Sequence, residues 1–199
     1  MTLPPDYFEA MYAERDDPWG FRTRWYETRK RRLTMAALPD SHYRSVFEPG
    51  CSIGLLTTEL AARSEQVVAM DVSDRALRQA RQIVPANVQL RRGAVPADWP
   101  SSGFELIVLS EVGYYLDPTD CQTLAELAVE SSRDLIAIHW RHPVADYPLT
   151  GDQVHSVIEA CAHHHGLARV VNHVERDLRL DVWSSDVRSV AVRDELISS

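Results

Sequence analysis

Ser45-Val46-Phe47-Glu48-Pro49-Gly50-Cys51-Ser52-Ile53-Gly54-Leu55, followed further on by Asp71, is the stretch whose reading decides the fold. Ser45 to Phe47 is a short run of β-branched and aromatic character, which predicts a strand. Gly50 and Gly54 permit a tight turn with no Cβ in the way. Beyond it Leu55, Leu56, Glu59, Leu60, Ala61 and Ala62 follow a helical pattern that extends to Arg63. A strand, a glycine turn and a helix start point free backbone N–H groups at whatever sits above the turn. A second strand, Gln66 to Met70, ends on Asp71. An acidic residue about 20 positions beyond the first glycine is placed to accept hydrogen bonds from ribose hydroxyls. The expectation is a nucleoside-bearing ligand held over the first βα turn.

Other readings of the same turn compete. Gly50-Cys51-Ser52-Ile53-Gly54 spells G-x-S-x-G, the nucleophile elbow of an α/β-hydrolase, with Ser52 as nucleophile. That elbow lies deep in a sheet, after several strands, whereas only one strand fits before Gly50; it also leaves Asp71 unexplained. The dinucleotide pattern G-x-G-x-x-G fails, because Ser52 and Leu55 occupy its second and third glycine positions. The bland alternative is a turn whose glycines serve only the bend.

The composition sets the frame. A chain of 199 residues with 45% apolar content suits one globular domain with a sizeable core. A net charge of −8 disfavours nucleic acid as a partner. The one basic run, Arg22 to Arg32, is interrupted by Glu27 and interleaved with Trp25 and Tyr26, and reads first as a solvated helix face and second as a local substrate or cofactor contact. Cys51, Cys121 and Cys161 are odd in number and unrelated in spacing, which predicts free thiols in a reducing compartment and neither a disulfide framework nor a zinc site. The N-terminal residues lack the basic and apolar regions of a signal peptide, and no apolar stretch reaches membrane-spanning length. The expectation is a cytoplasmic protein with no membrane partner; the oligomeric state is left open.

Along the chain, residues 1–20 are polar and aromatic, and a helix is predicted over Thr23 to Leu38, stopped by Pro39. Residues 1–40 are expected to form a helical lid on a domain of residues 41–199, with Trp19 and Trp25 chiefly as packing residues. Ser73 should cap a second helix carrying Ala76, Leu77, Ala80 and Ile83 inward as far as Pro85. Strands are predicted over Asn87–Arg91, Phe104–Ser110, Leu135–Ile138, Arg169–Val174 and Leu178–Ser184. Helices are predicted from Asp117 to Ser131 and from Thr150 or Asp152 to His165. The last two strands are spaced as a hairpin, so the sheet should be mostly parallel with one antiparallel strand. Ligands of such sheets bind outside the carboxyl ends of the strands at the switch point, which gathers Gly50, Asp71, Ala94, Ser110, Glu111 and His139 around one crevice.

These residues resemble a class I S-adenosylmethionine-dependent methyltransferase. Glu48 to Gly54 resembles that superfamily's glycine motif, Asp71 its ribose-binding acid and Phe104–Leu109 its fourth-strand motif. More narrowly, Asp17-Pro18-Trp19, Trp25-Tyr26-Glu27-Thr28-Arg29-Lys30, Glu48 to Gly54, and Leu109-Ser110-Glu111-Val112-Gly113-Tyr114-Tyr115-Leu116 are similar to the NodS-like (nodulation protein S) group. The resemblance runs from about Asp17 to Trp183. It implies an α/β, Rossmann-like methyltransferase fold with a seven-stranded sheet, and S-adenosylmethionine as cofactor. It also implies a small-molecule acceptor, an amine of an amino sugar, oligosaccharide or related metabolite. Ser52 stands where many relatives have glycine. Gly93-Ala94-Val95 stands where many have an acid for the adenine amino group, which leaves that contact to backbone groups or to Asp98.

Carried onto this sequence, the resemblance assigns the cofactor's methionine end to Glu48, Gly50, Cys51, Ser52, Gly54 and Leu55. The ribose falls to Asp71 with Val72, and the adenine side to Ala94, Val95 and Ser110. Trp19 or Arg29 closes the pocket or reaches the carboxylate, and Tyr115 lines it. Methyl transfer is an in-line displacement, so the protein's task is alignment and exclusion of water. A nitrogen acceptor must be neutral to attack, and Glu111, His139 and Tyr114 at the strand ends are the candidates for managing its proton. Tyr114 or Tyr115 also suits a sulfonium through cation–π attraction. His163-His164-His165 reads as a surface feature at a helix end, because three consecutive positions point in different directions. Two other functions stay in view: the Ser52 hydrolase and a domain that binds the nucleoside ligand without turnover.

Overall fold

The computed structural model describes residues 1–198. It contains one seven-stranded sheet flanked by helices. The strands, in chain order, are β1 (Tyr43–Pro49), β2 (Ser64–Asp71), β3 (Val88–Arg92), β4 (Phe104–Ser110), β5 (Ser132–Trp140), β6 (Ala168–Val174) and β7 (Leu178–Ser184). Their order across the sheet is β3-β2-β1-β4-β5-β7-β6. All neighbours are parallel except at β7, which is antiparallel to both β5 and β6. The sheet is the expected one, with the switch point between β1 and β4.

The helices are α1 (Pro5–Glu14), α2 (Trp25–Ala37), α3 (Leu55–Ala61), α4 (Asp74–Ala80), α5 (Pro118–Glu130), α6 (Gly151–His164) and α7 (Val190–Arg193), with a 3₁₀ turn at Gly113–Tyr115. Local sequence explains most of these ends. The Ser73 hydroxyl accepts from Ala76 N–H, and the Asp117 carboxylate accepts from Thr119 and Asp120 N–H. Thr150 and Gln153 form a reciprocal capping box that starts α6.

Leu106, Ile107, Val108 and Leu109 are fully buried, as a central parallel strand covered on both faces requires. One face packs Phe47, Ile107, Leu109, Leu135, Ala137 and Trp183 against α5 and α6. The other packs Val46, Leu106, Val108, Ile136 and Val182 against α3, α4 and the sheet end of α2. Each such aliphatic or aromatic side chain contributes about 1.5–3 kcal/mol through burial. Leu38 and Tyr43 share this second core, so α2 is continuous with the sheet's packing.

Three departures from the sequence reading have plain causes. Residues 5–14 form a helix, started by Pro5 at its first turn and tied down by Tyr12, which packs with Ile53 and Ala76. The second helix after the glycine turn stops at Ala80, not at Pro85; a short turn follows, and Ile83 is exposed. Trp25 is exposed as well, with only the Arg32 guanidinium over its ring, so it is not a packing residue.

Candidate active site

The turn between β1 and α3 is closed by glycines for two stated reasons. Gly50 has φ +72°, and a Cβ there would come 2.3 Å from Val112 Cγ2. Gly54 has φ +81°, and a Cβ there would meet Ala80 Cβ at 2.9 Å. Both conditions exclude any other residue without distortion. Within the turn, Cys51 N–H donates to the Met70 carbonyl at 2.9 Å, Ser52 N–H to Asp71 Oδ2 at 2.8 Å, and Gly54 N–H to the Cys51 carbonyl at 3.0 Å. The expected row of free N–H groups is therefore absent at these three residues, because the turn consumes them.

Above the turn lies a cavity of about 280 Å³. Glu48, Gly50, Cys51, Ser52 and Leu55 line it from the turn, and Asp71 and Val72 from the end of β2. Ala94 and Val95 contribute after β3, and Ser110, Glu111 and Tyr115 after β4. From the N-terminal segment come Thr2, Phe8, Tyr12, Trp19, Phe21, Glu27 and Lys30. Four residues singled out from sequence are not in this wall: Arg29, Gly54, Tyr114 and His139.

Asp71 is held by two backbone donors, Ser52 N–H and Ser73 N–H, the latter at 2.9 Å to Oδ1. Burial pushes its carboxyl up to about 6 despite them. Each oxygen keeps a lone pair for a further donor, which suits a ribose diol. Glu48 is buried beside it and accepts from Thr57 Oγ1 at 2.6 Å; burial raises it to about 8, so it is mostly protonated at neutral pH. Asp98 Oδ2 accepts from Ala94 N–H at 2.8 Å, so that one backbone donor of the loop is engaged.

Ser52 sits in the left-handed region at φ 53°, and its hydroxyl pairs with the Tyr12 phenol, not with an imidazole. The nucleophile-elbow reading thus lacks its base. The same contact, with Glu9 to Ser73 and Leu3 N–H to the Tyr115 carbonyl at 2.9 Å, fastens α1 across the cavity.

The opposite part of the wall is built around Glu111. This residue also has a left-handed backbone, φ 58°, uncommon for glutamate. Its carboxylate accepts from Lys30 Nζ at 2.7 Å, from Trp140 N–H at 2.9 Å and from the Tyr114 hydroxyl. Lys30 Nζ lies 2.8 Å from Glu27 Oε2 as well, yet that oxygen has no partner in hydrogen-bond geometry. Burial alone would lower the lysine, but the two carboxylates outweigh it and its pKa is raised. Glu27 is raised too, burial exceeding the help of Lys30. With both carboxylates ionised, the trio carries one surplus negative charge inside the cavity.

Glu27 and Lys30 were not singled out as site residues from sequence, since a glutamate inside a basic run reads first as a solvated face. The available signal was their i, i+3 spacing, which sets the two on one side of α2. Arg29 points elsewhere, in a bidentate pair with Glu175. Tyr114 is buried behind Glu111, its phenol raised well above the usual range by burial and that carboxylate. His139 is fully buried, and both ring nitrogens have partners: Gly113 N–H at 3.2 Å and His155 at 3.1 Å. Burial lowers its pKa well below the ordinary value.

Among the described residues no cluster of histidine, cysteine or acidic side chains forms a metal site, and no helix is long and apolar enough to cross a membrane. Cys51, Cys121 and Cys161 are free and buried.

Comparison with known proteins adds the following. Residues 9–146 match the family model described as Nodulation protein S (NodS). A solved methyltransferase candidate from Pseudomonas syringae is 40% identical, covering 81% of this chain and 99% of that one, with a TM-score of 0.68. The N-methyltransferase NodS from Bradyrhizobium japonicum WM9, solved with S-adenosyl-L-homocysteine, superposes with a TM-score of 0.78 at 22% identity, over 90% of this chain and 96% of its own. Among curated proteins, ribosomal RNA small subunit methyltransferase A of Salinibacter ruber is 32% identical over 87 residues, 42% of this chain and only 28% of that protein's length.

Proposed function

Because the chain belongs to the nodulation protein S (NodS) family of S-adenosylmethionine-dependent methyltransferases, we propose that it methylates the amine of a small molecule, an amino sugar or a related metabolite. The observation that carries the amine is the Glu27–Lys30–Glu111 trio, two carboxylates to one ammonium, which lines the same cavity as Asp71.

The donor end fits the cofactor on the chain's own terms. A turn whose Cys51, Ser52 and Gly54 N–H groups are spent has little to offer a phosphate, which argues for a ligand without one. Asp71 would hold the ribose hydroxyls, and Glu48, Gly50, Cys51, Ser52 and Leu55 would surround the methionine end. Val72, Ala94, Val95 and Ser110 would bound the adenine side, with Trp19 and Tyr115 closing the cavity. Bound there, S-adenosylmethionine supplies an electrophilic methyl group on a sulfonium.

The acceptor end has three tasks. An ammonium entering it is attracted by the surplus charge and then has to lose a proton. Glu27, raised by burial and ion-paired at Oε2 with Lys30 Nζ, is the group that takes that proton. Glu111, locked by three donors, keeps Lys30 in place and offers an acceptor edge for orientation. Tyr114 holds Glu111, and His139 lies behind the loop as a support. Thr2, Phe8 and Tyr12 on the N-terminal segment exclude water; residues 1–40 act as a lid over the domain of residues 41–199.

The test is methyl transfer from labelled S-adenosylmethionine to a glucosamine oligosaccharide with a free amine and to its fully N-acetylated counterpart. Incorporation into the free amine alone is expected. Transfer to neither, with Ser52 labelled by a fluorophosphonate, would overturn the reading.

A further inference from the structure

A row of buried polar side chains runs from β7 to the loop that carries Glu111. Gly113 N–H donates to His139 Nε2 at 3.2 Å, so that nitrogen carries no proton. The neutral ring then has its proton on Nδ1, which faces His155 Nε2 at 3.1 Å. His155 Nε2 must accept, leaving its own proton on Nδ1, and this nitrogen lies 2.6 Å from Asp181 Oδ2. Asp181 Oδ2 also accepts from Arg179 Nε at 2.7 Å, and Oδ1 accepts from Asn172 Nδ2 at 2.6 Å. His139, His155 and Asp181 are each fully buried. One backbone donor at one end and one carboxylate at the other therefore dictate the tautomer of both rings.

The loop at the end of this row is under constraint. Glu111 holds a positive φ, and Gly113 is pressed against α6 so closely that a Cβ would come 2.4 Å from Val154 Cγ1. A backbone of this kind persists only where its surroundings fix it. Apolar residues in place of the imidazoles would leave Gly113 N–H buried without its acceptor. Burial lowers the pKa of both histidines, in keeping with neutral rings.

We propose that Asp181, His155 and His139 are positioning residues, a one-way row of hydrogen bonds that sets the 111–115 loop and through it the Glu111 carboxylate. The inference rests on the reading that Glu111 faces the methyl acceptor. In Asp181→Leu the oxygen that accepts from both His155 Nδ1 and Arg179 Nε is gone, so His155 Nδ1 is free to accept and the row to reverse. His139 would then carry a proton on Nε2, directed at Gly113 N–H, and the loop would lose its anchor.

Two-bond proton–nitrogen correlation spectra of the full-length native protein, labelled on histidine nitrogens, read the tautomers without any substitution. Both rings are expected to be neutral and protonated on Nδ1. Native spectra showing Nε2–H on either ring, or a charged ring at neutral pH, would overturn the proposal. In Asp181→Leu the tautomers should reverse, and Gly113 amide exchange should speed up about tenfold or more while the amides of Ile107 and Ile136 keep their protection. Methyl transfer should fall by about tenfold or more with the cofactor dissociation constant within about twofold of the native value. Reversed tautomers with unchanged Gly113 exchange and turnover would also overturn it. A native chain inactive on every amine, with tautomers and exchange as described, would refute the amine reading alone and leave the row's hold on the loop supported.

Discussion

Lys30 Nζ on α2 lies 2.7 Å from Glu111 Oε1 at the end of β4, and both side chains are largely withdrawn from solvent. That contact joins the N-terminal helix pair to the catalytic end of the sheet. It also answers why a lysine within a basic run is buried: it pairs with two carboxylates, Glu27 and Glu111. Removing the cation leaves both acids inside without a counter-charge, which is costlier than never having had the pair. Lys30→Met should therefore destabilise the fold by about 3–5 kcal/mol, read from chemical denaturation. A change below about 1 kcal/mol would place the trio at the level of an exposed surface pair.

Glu27→Gln keeps the shape and removes the proton acceptor. Its folded pKa is raised, so its contribution to stability is full at low pH and is lost as pH rises through the raised value; an amide has no such loss. The variant should be at least as stable as the native chain at neutral pH. Methyl transfer should drop by about 10²–10⁴-fold, with the low-pH limb of the rate profile flattened. An unchanged profile would move the proton-accepting role away from Glu27.

Asp71 sits at about 6, raised by burial, and ribose hydroxyls favour its ionised form. The ligand therefore binds the deprotonated acid, and binding lowers the pKa. Affinity should be level above pH 7 and decline as pH falls through about 6, approaching tenfold per pH unit. Asp71→Ala should weaken binding at neutral pH and abolish that slope. Calorimetry across the pH range decides it.

Gly54→Ala tests the turn. The new Cβ would meet Ala80 and would also force a left-handed backbone on alanine. A loss of about 1–3 kcal/mol is expected, measured by denaturant unfolding, with the cofactor affinity falling in parallel because Asp71 and Ser52 move with the turn.

Tyr12→Phe removes the phenol that meets Ser52 and leaves the ring packing intact. Hydrogen exchange in residues 5–14 should rise several-fold in the ligand-free protein and return toward the native level when S-adenosylmethionine is added. Equal exchange in both proteins would show that packing alone holds α1.

Much of the sheet could be read from the chain because its signals are local. Phe104–Ser110 is apolar without alternation, Ser73 and Thr150 are strong caps, and Gly50 with Asp71 marks the first βα unit. The turn side of the cavity was legible for the same reason: Glu48, Gly50 and Ser52 lie in one motif, and Asp71 ends the next strand. Of the opposite side only Glu111 was. Glu27 and Lys30 are meaningful only once α2 folds against β4, and a separation of over 80 residues between Lys30 and Glu111 leaves no periodic trace. His139 looked like a base because it ends a strand; only the packing of α6 shows both of its nitrogens to be engaged. Helix α1 lacks a strong amphipathic pattern, its stability coming from contacts with residues far along the chain.

The closeness of Gly50 to Val112 has a wider meaning for this enzyme. The donor turn and the acceptor loop share a wall with no slack, so neither can shift alone. Any tightening that one ligand imposes across it must be repaid in equal measure by the other. Whatever its sign, the coupling between the two ligands is one factor read equally from either side, set where Gly50 has no Cβ.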